Sequence, residues 1–189
     1  WVLAIANFFV YIVRYAVLDW GPTLLGEWKG VSIHHAGWMV AAFEISGIVG
    51  MLVAGWATDR FFGGRGPRVC VICMALATVF VALFWGISQP PMWLATLLLG
   101  AAGFCIYGPQ ALVGIAAANI ATKKAAATAV GFTGLFGYAS TLVSGWGLGL
   151  LAQHYGWNIA VGALILIAIM GTLIFMAAWS AKANGYDND

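Results

Sequence analysis

One charged side chain sits in the middle of an apolar run. Arg14 lies well inside the stretch that begins at Trp1, and no other Lys or Arg occurs before Lys29. A charge at mid-membrane depth costs at least about 2.5–3.5 kcal/mol on insertion scales. Arg14 is more than about two turns from either end of its stretch, too far to snorkel to water. Asn7, Tyr11 and Arg14 recur at i, i+4 and i+7, so on a helix they share one face. Such a face belongs toward a bundle interior or a water-filled cavity. Two uses of Arg14 compete. Its guanidinium is a planar fork of donors that matches phosphate or carboxylate oxygens. Alternatively, it forms a buried ion pair with Glu44 or Asp19.

Glu44 is the mid-membrane acid of the second apolar stretch. It can pair with Arg14, bind a proton or bond a neighbouring backbone, which makes it a structural or coupling partner. Like charges repel, so it is a poor direct contact for an anion. Tyr107 and Tyr138 fall at about the depth of Arg14. With Tyr11 they either line a wet central site or bond carbonyls of adjacent helices, since a buried phenol needs a partner. Gly108-Pro109 interrupts the helix beside Tyr107, and such breaks gather where a cavity is lined. Gln110 and Thr133 are weaker candidates nearby.

Other reactive side chains lack the company that chemistry requires. Cys70-Val-Ile-Cys73 has the spacing of a redox or metal motif but opens an apolar helix with no His or carboxylate beside it. It reads, with Cys105, as packing cysteine. His34 and His35 are sequence neighbours and so point to different faces, and His154 stands by itself. There is no nucleophile with a base at usable spacing and no phosphate-cradling loop. We therefore expect no enzyme, no catalytic residue, no metal and no cofactor.

The elements that must hold Arg14 follow from composition. Of 189 residues, 63% are hydrophobic and 7% charged, against about 25% charged in soluble domains. The solvent is a lipid bilayer, and the aromatic content suits its interfaces. A net charge of +2, with no basic cluster, excludes a nucleic-acid partner. Six stretches reach the roughly 20 apolar residues a spanning helix needs: 1–25, 36–62, 69–88, 92–118, 125–153 and 159–181. Their length and lack of alternation exclude a β-barrel. Residues 182–189 form a short polar tail. The chain begins inside an apolar run without Met, basic region or cleavage site, so we expect an internal cut through a longer protein. Arg60, Arg65, Arg68, Lys123, Lys124 and Lys182 fall on one side and Lys29 on the other. That bias puts both ends in the cytoplasm. Gly47 with Gly50, Gly100 with Gly103, Gly131 with Gly134, and Gly145 with Gly149 place small residues on helix faces. They serve either tight packing or packing that must slide.

Gly55-Trp-Ala-Thr-Asp59-Arg60-Phe-Phe-Gly63-Gly64-Arg65-Gly-Pro-Arg68 resembles the loop motif of the major facilitator superfamily. The match implies that Asp59, beside Arg60 and Arg65, can latch helix ends together on the cytoplasmic side. Asn7-Phe-Phe-Val-Tyr11-Ile-Val-Arg14-Tyr15, Tyr107-Gly-Pro109-Gln and Gly131-Phe-Thr-Gly-Leu-Phe-Gly-Tyr138 resemble segments of the organophosphate:phosphate antiporters within it. The resemblance covers essentially the whole chain. It implies the C-terminal, six-helix half of a twelve-helix transporter, built from two three-helix inverted repeats at 1–88 and 92–181. It further implies a bacterial inner-membrane protein that exchanges a phosphorylated metabolite such as glycerol-3-phosphate for inorganic phosphate by alternating access. Arg14 would then be one of two arginines of a phosphate site, with Asn7, Tyr11, Tyr107 and Tyr138 near it and the second arginine in the N-terminal half. Val130 and Thr133 stand where hexose-phosphate members carry Asp and Lys, while Gly-Pro-Gln at Pro109 is also typical of those members. A membrane sensor of the same fold for a sugar phosphate is the alternative.

Overall fold

The computed structural model describes residues 1–182, and their regular secondary structure is entirely helical. Six helices are long and apolar enough to cross a membrane: α1 Val2–Lys29, α2 Ile33–Phe62, α3 Gly66–Gly86, α4 Met92–Ile120, α5 Ala126–Tyr155 and α6 Trp157–Ala177. The expected tail lies outside the described residues apart from Lys182. Two boundaries differ by four residues from those read in the sequence, and the others by three or fewer. α1 continues past Leu25 to Lys29 with Pro22 inside it, since neighbouring helices in a membrane can compensate a proline. α6 ends at Ala177, short of the expected Ala181.

The turns follow ordinary end chemistry. Gly30, with φ 69°, closes α1 by donating its N–H to the Gly26 carbonyl. Ser32 caps α2, its hydroxyl accepting from the His35 N–H. Pro67 sits in the first turn of α3, where its missing N–H is spare.

Packing centres on α2 against α4. A Cβ at Gly50 would run into the backbone carbonyl of Phe104, and one at Gly103 into that of Phe43. Between these contacts the Ser46 hydroxyl donates to the Gly100 carbonyl at 2.6 Å. The small faces read from the sequence of α2 and α4 therefore meet each other. Those of α5 divide. Gly149 lies under the Trp20 ring, whereas Gly131, Gly134 and Gly145 face open space; Gly137, outside those pairs, lies under Asn7 and Tyr11. Phe43, Met39, Met74, Ile106, Val10 and Val13 are buried in the core these helices share. Helix pairings are preserved when the first three helices are exchanged with the last three: α2–α4 corresponds to α5–α1, α3–α4 to α6–α1, and α3–α6 to itself.

α5 is not uniformly α-helical. Leu142–Gly147 forms a π-helical turn, a local widening that often marks functional places. The Trp20 indole N–H, from α1, donates to the carbonyls of Ser144 and Gly145 at 3.0 and 3.1 Å. Periodicity in the sequence carries no signal for such a turn.

Candidate functional site

Three helices bring their central polar groups together. Arg14 of α1 donates from Nη2 to the Tyr107 hydroxyl of α4 at 2.8 Å. Tyr107 in turn donates to Oε2 of Glu44 on α2. Arg14 Nη2 also reaches Glu44 Oε2, at 3.5 Å. That separation is long beside the 2.7–2.9 Å of a tight charge-assisted bond, so the phenol is the main bridge between the charges. The guanidinium lies 4.7 Å from the Tyr107 ring centroid and 5.4 Å from that of Tyr15. Arg14 is well sheltered, its side chain 15% exposed, and Glu44 is 30% exposed. Gly47 makes the arrangement possible, because a Cβ there would collide with the Tyr107 ring.

Of the two partners read for Arg14, Glu44 is the one in place, while Asp19 is exposed. The pair does not exhaust the fork. Arg14 Nε and Glu44 Oε1 are both buried without a hydrogen-bond partner. An unsatisfied buried polar atom costs about 1–3 kcal/mol, more when charged, so this centre can gain from a ligand that offers an acceptor to Arg14.

Tyr11 and Tyr138 form a second group. Their rings meet edge to face at 6.0 Å, and Tyr11 lies 5.6 Å from Tyr15. Tyr138 is 64% exposed, on the open side of α5. Asn7 is buried, and its amide nitrogen donates to the Thr133 carbonyl at 2.9 Å, tying α1 to α5. Tyr15, which packs against both Arg14 and Tyr11, was not singled out from the sequence. Its position four residues after Tyr11 was the available signal.

Asp59 and Arg60 are exposed in the last turn of α2. Gly63 and Gly64, at φ 56° and 76°, turn the chain toward Arg65, which caps α3. Among the described residues Asp59, Arg60 and Arg65 take part in no ion pair. Cys70, Cys73 and Cys105 are free thiols, and Cys70 and Cys105 are buried.

Residues 3–185 match the model of the family described as Major Facilitator Superfamily. A probable hexose phosphate transport protein of Chlamydia pneumoniae is 41% identical over 182 residues, covering 96% of this chain and 40% of the relative. A glycerol-3-phosphate transporter of Haemophilus influenzae is 36% identical over 203 residues, covering 97% and 42%. A membrane sensor protein of Salmonella typhimurium is 33% identical over 184 residues, covering 97% and 41%. The chain thus spans about 40% of the length of the curated relatives it matches.

Proposed function

The chain belongs to the major facilitator superfamily, and on that premise we propose that it forms one six-helix bundle of a secondary transporter. The intact protein exchanges an organophosphate, such as glycerol-3-phosphate, for inorganic phosphate across a bacterial inner membrane. The observation that carries this reading is Arg14: a sheltered guanidinium at the centre of a membrane bundle, with Nε unpartnered and its carboxylate partner at 3.5 Å. A phosphate monoester carries about −1.5 to −2 charge at neutral pH. One arginine, half engaged by Glu44, cannot balance it, so a second cation comes from the opposing bundle. Phosphate takes the free edge of the fork, and Tyr107 keeps Glu44 attached while the Arg14–Glu44 contact loosens. Alternating access follows when one bundle rocks against the other around this point. Residues 1–88 and 92–181 act as the two three-helix repeats of this bundle, an assignment supported by the exchange symmetry of the helix pairings. The basic loops face the cytoplasm, and Asp59 with Arg60 and Arg65 engages the opposing bundle there. No step in this scheme makes or breaks a covalent bond.

The test is Arg14→Lys in the intact protein. A lysine keeps the charge but not the planar fork. Phosphate exchange in vesicles is expected to fall to background while the protein remains in the membrane at near-normal amount. Wild-type exchange by Arg14→Lys would leave Arg14 as a structural ion pair only. A second reading, a sensor that binds an organophosphate without moving it, is favoured by the likeness to the Salmonella sensor. Binding of labelled organophosphate with no counterflow would select it.

A further inference from the structure

Resting on the assignment of phosphate to Arg14, we propose that Asn7 and Gln110 form an acceptor tier that binds the hydroxyl-bearing part of the organophosphate and distinguishes it from an alkyl phosphate. Asn7 is only 4% exposed. Its Nδ2 donates to the Thr133 carbonyl, and a carbonyl can only accept, so the orientation of the amide is fixed. Oδ1 is then turned away from Thr133, and it has no partner. On α4, Gln110 follows Tyr107 by three residues and also ends in a buried oxygen, Oε1, without a partner.

Tyr11 joins the two amides. Its phenol interacts with the Gln110 side chain, and its ring lies with Asn7 against Gly137. A Cβ at Gly137 would come within 2.9 Å of Asn7 Nδ2 and 3.2 Å of the Tyr11 ring, so the absent side chain is what gives the tier its room. Both amides are displaced from the Arg14–Tyr107 bond in one sense. Asn7 precedes Arg14 on α1, Gln110 follows Tyr107 on α4, and the two helices run antiparallel through an odd number of membrane crossings. The acceptor tier is thus stacked below the phosphate fork, toward the start of α1 and the end of α4.

Donor and acceptor chemistry then assigns the ligand's two ends. Arg14 offers only donors and takes phosphate oxygens. The phosphate group of a monoester dianion has no hydrogen to give, so it cannot satisfy Asn7 Oδ1 or Gln110 Oε1. Alcohol hydroxyls can. Tyr11 is half-buried beside the exposed Tyr138. Its ring is the group that yields when a polyol enters.

The experiment uses homologous exchange of labelled phosphate by the intact protein in vesicles. Unlabelled competitors are glycerol-3-phosphate against propyl phosphate, and glucose-6-phosphate against hexyl phosphate, pairs matched in carbon number that differ in hydroxyls. The wild type is expected to prefer the polyol member of at least one pair by about tenfold or more, because a site built to bond a hydroxyl rejects the analogue lacking it. Gln110→Met is expected to bring that preference below about threefold. Equal inhibition within both pairs by the wild type overturns the proposal without any variant. So does a Gln110→Met protein that retains the preference. Failure of the Arg14 assignment is read separately, as phosphate homo-exchange that survives Arg14→Lys.

Discussion

Tyr107 holds a cation and an anion at once, its hydroxyl accepting from Arg14 and donating to Glu44. Hydrogen bonds to charged groups contribute about 1.5–3 kcal/mol. Tyr107→Phe in the intact protein is therefore expected to lower exchange at sub-saturating substrate by about ten- to a hundredfold. Initial rates of phosphate counterflow measure it, and a change below about twofold would remove Tyr107 from the site. Legibility differs sharply at this scale. Arg14 announces itself because a charge in an apolar run has few excuses. Its partnership with Tyr107 spans 93 positions and leaves no local mark. Nor could spacing show that Glu44, rather than Asp19, would complete the pair; that depends on how α1 and α2 are rotated against each other. Tyr138 illustrates the converse, since equal depth in the membrane did not bring it to Arg14.

Helices α2 and α4 approach through glycines, and that approach sets the distance at which Glu44 and Tyr107 meet. Gly50→Ala and Gly103→Ala each drive a methyl into a backbone carbonyl of the facing helix. Backbone cannot swing aside as a side chain can, so each is expected to cost about 3 kcal/mol or more, at the upper end of overpacking effects. Gly86→Ala, at the end of α3 with open space around its Cβ, is expected to be neutral or slightly stabilising, because alanine is the better helix former. Thermal unfolding of the purified protein in detergent compares the three, and equal melting temperatures would show that the interface relaxes freely. The six spans were readable because length and apolarity alone define a membrane helix. The small faces of α2 and α4 were readable for the same kind of reason. Which small faces stay uncovered was not, since Gly131 and Gly134 look like Gly100 and Gly103 in sequence and differ only in what stands opposite.

One face of the bundle is open along α5. Leu135, Tyr138, Leu142 and Trp146 are exposed along α5, while Tyr11, Arg14 and Glu44 are only partly covered nearby. An aqueous path between two rocking bundles needs both walls. These residues expressed alone are expected to show no phosphate counterflow, and co-expression with the remaining part of the polypeptide is expected to restore it, since membrane helices can insert separately and then associate. Comparable exchange by this bundle alone would mean that the site is complete within it. The sequence disclosed that polar residues share a face of α1, but not that the same face is bounded by α4 and α5. That follows from pairings between distant segments.

The π-turn in α5 has a consequence for rotational phase. Gly137 and Gly149 both look toward α1, one at Asn7 and Tyr11, the other at Trp20. In an uninterrupted α-helix residues twelve positions apart point about 120° away from each other. One surplus residue absorbed in a wide turn takes up about 100° of that difference, so both glycines can serve the same neighbour. The joint at Leu142–Gly147 is thus a phase correction. Length changes within it should be asymmetric: deleting Val143 should convert the turn to regular α-helix and leave both contacts in line, whereas inserting one alanine should rotate Gly149 out from under the Trp20 ring. The deletion is expected to keep the melting temperature within a few degrees of wild type and the insertion to lower it markedly. The reverse order would mean that the wide turn serves some need other than alignment.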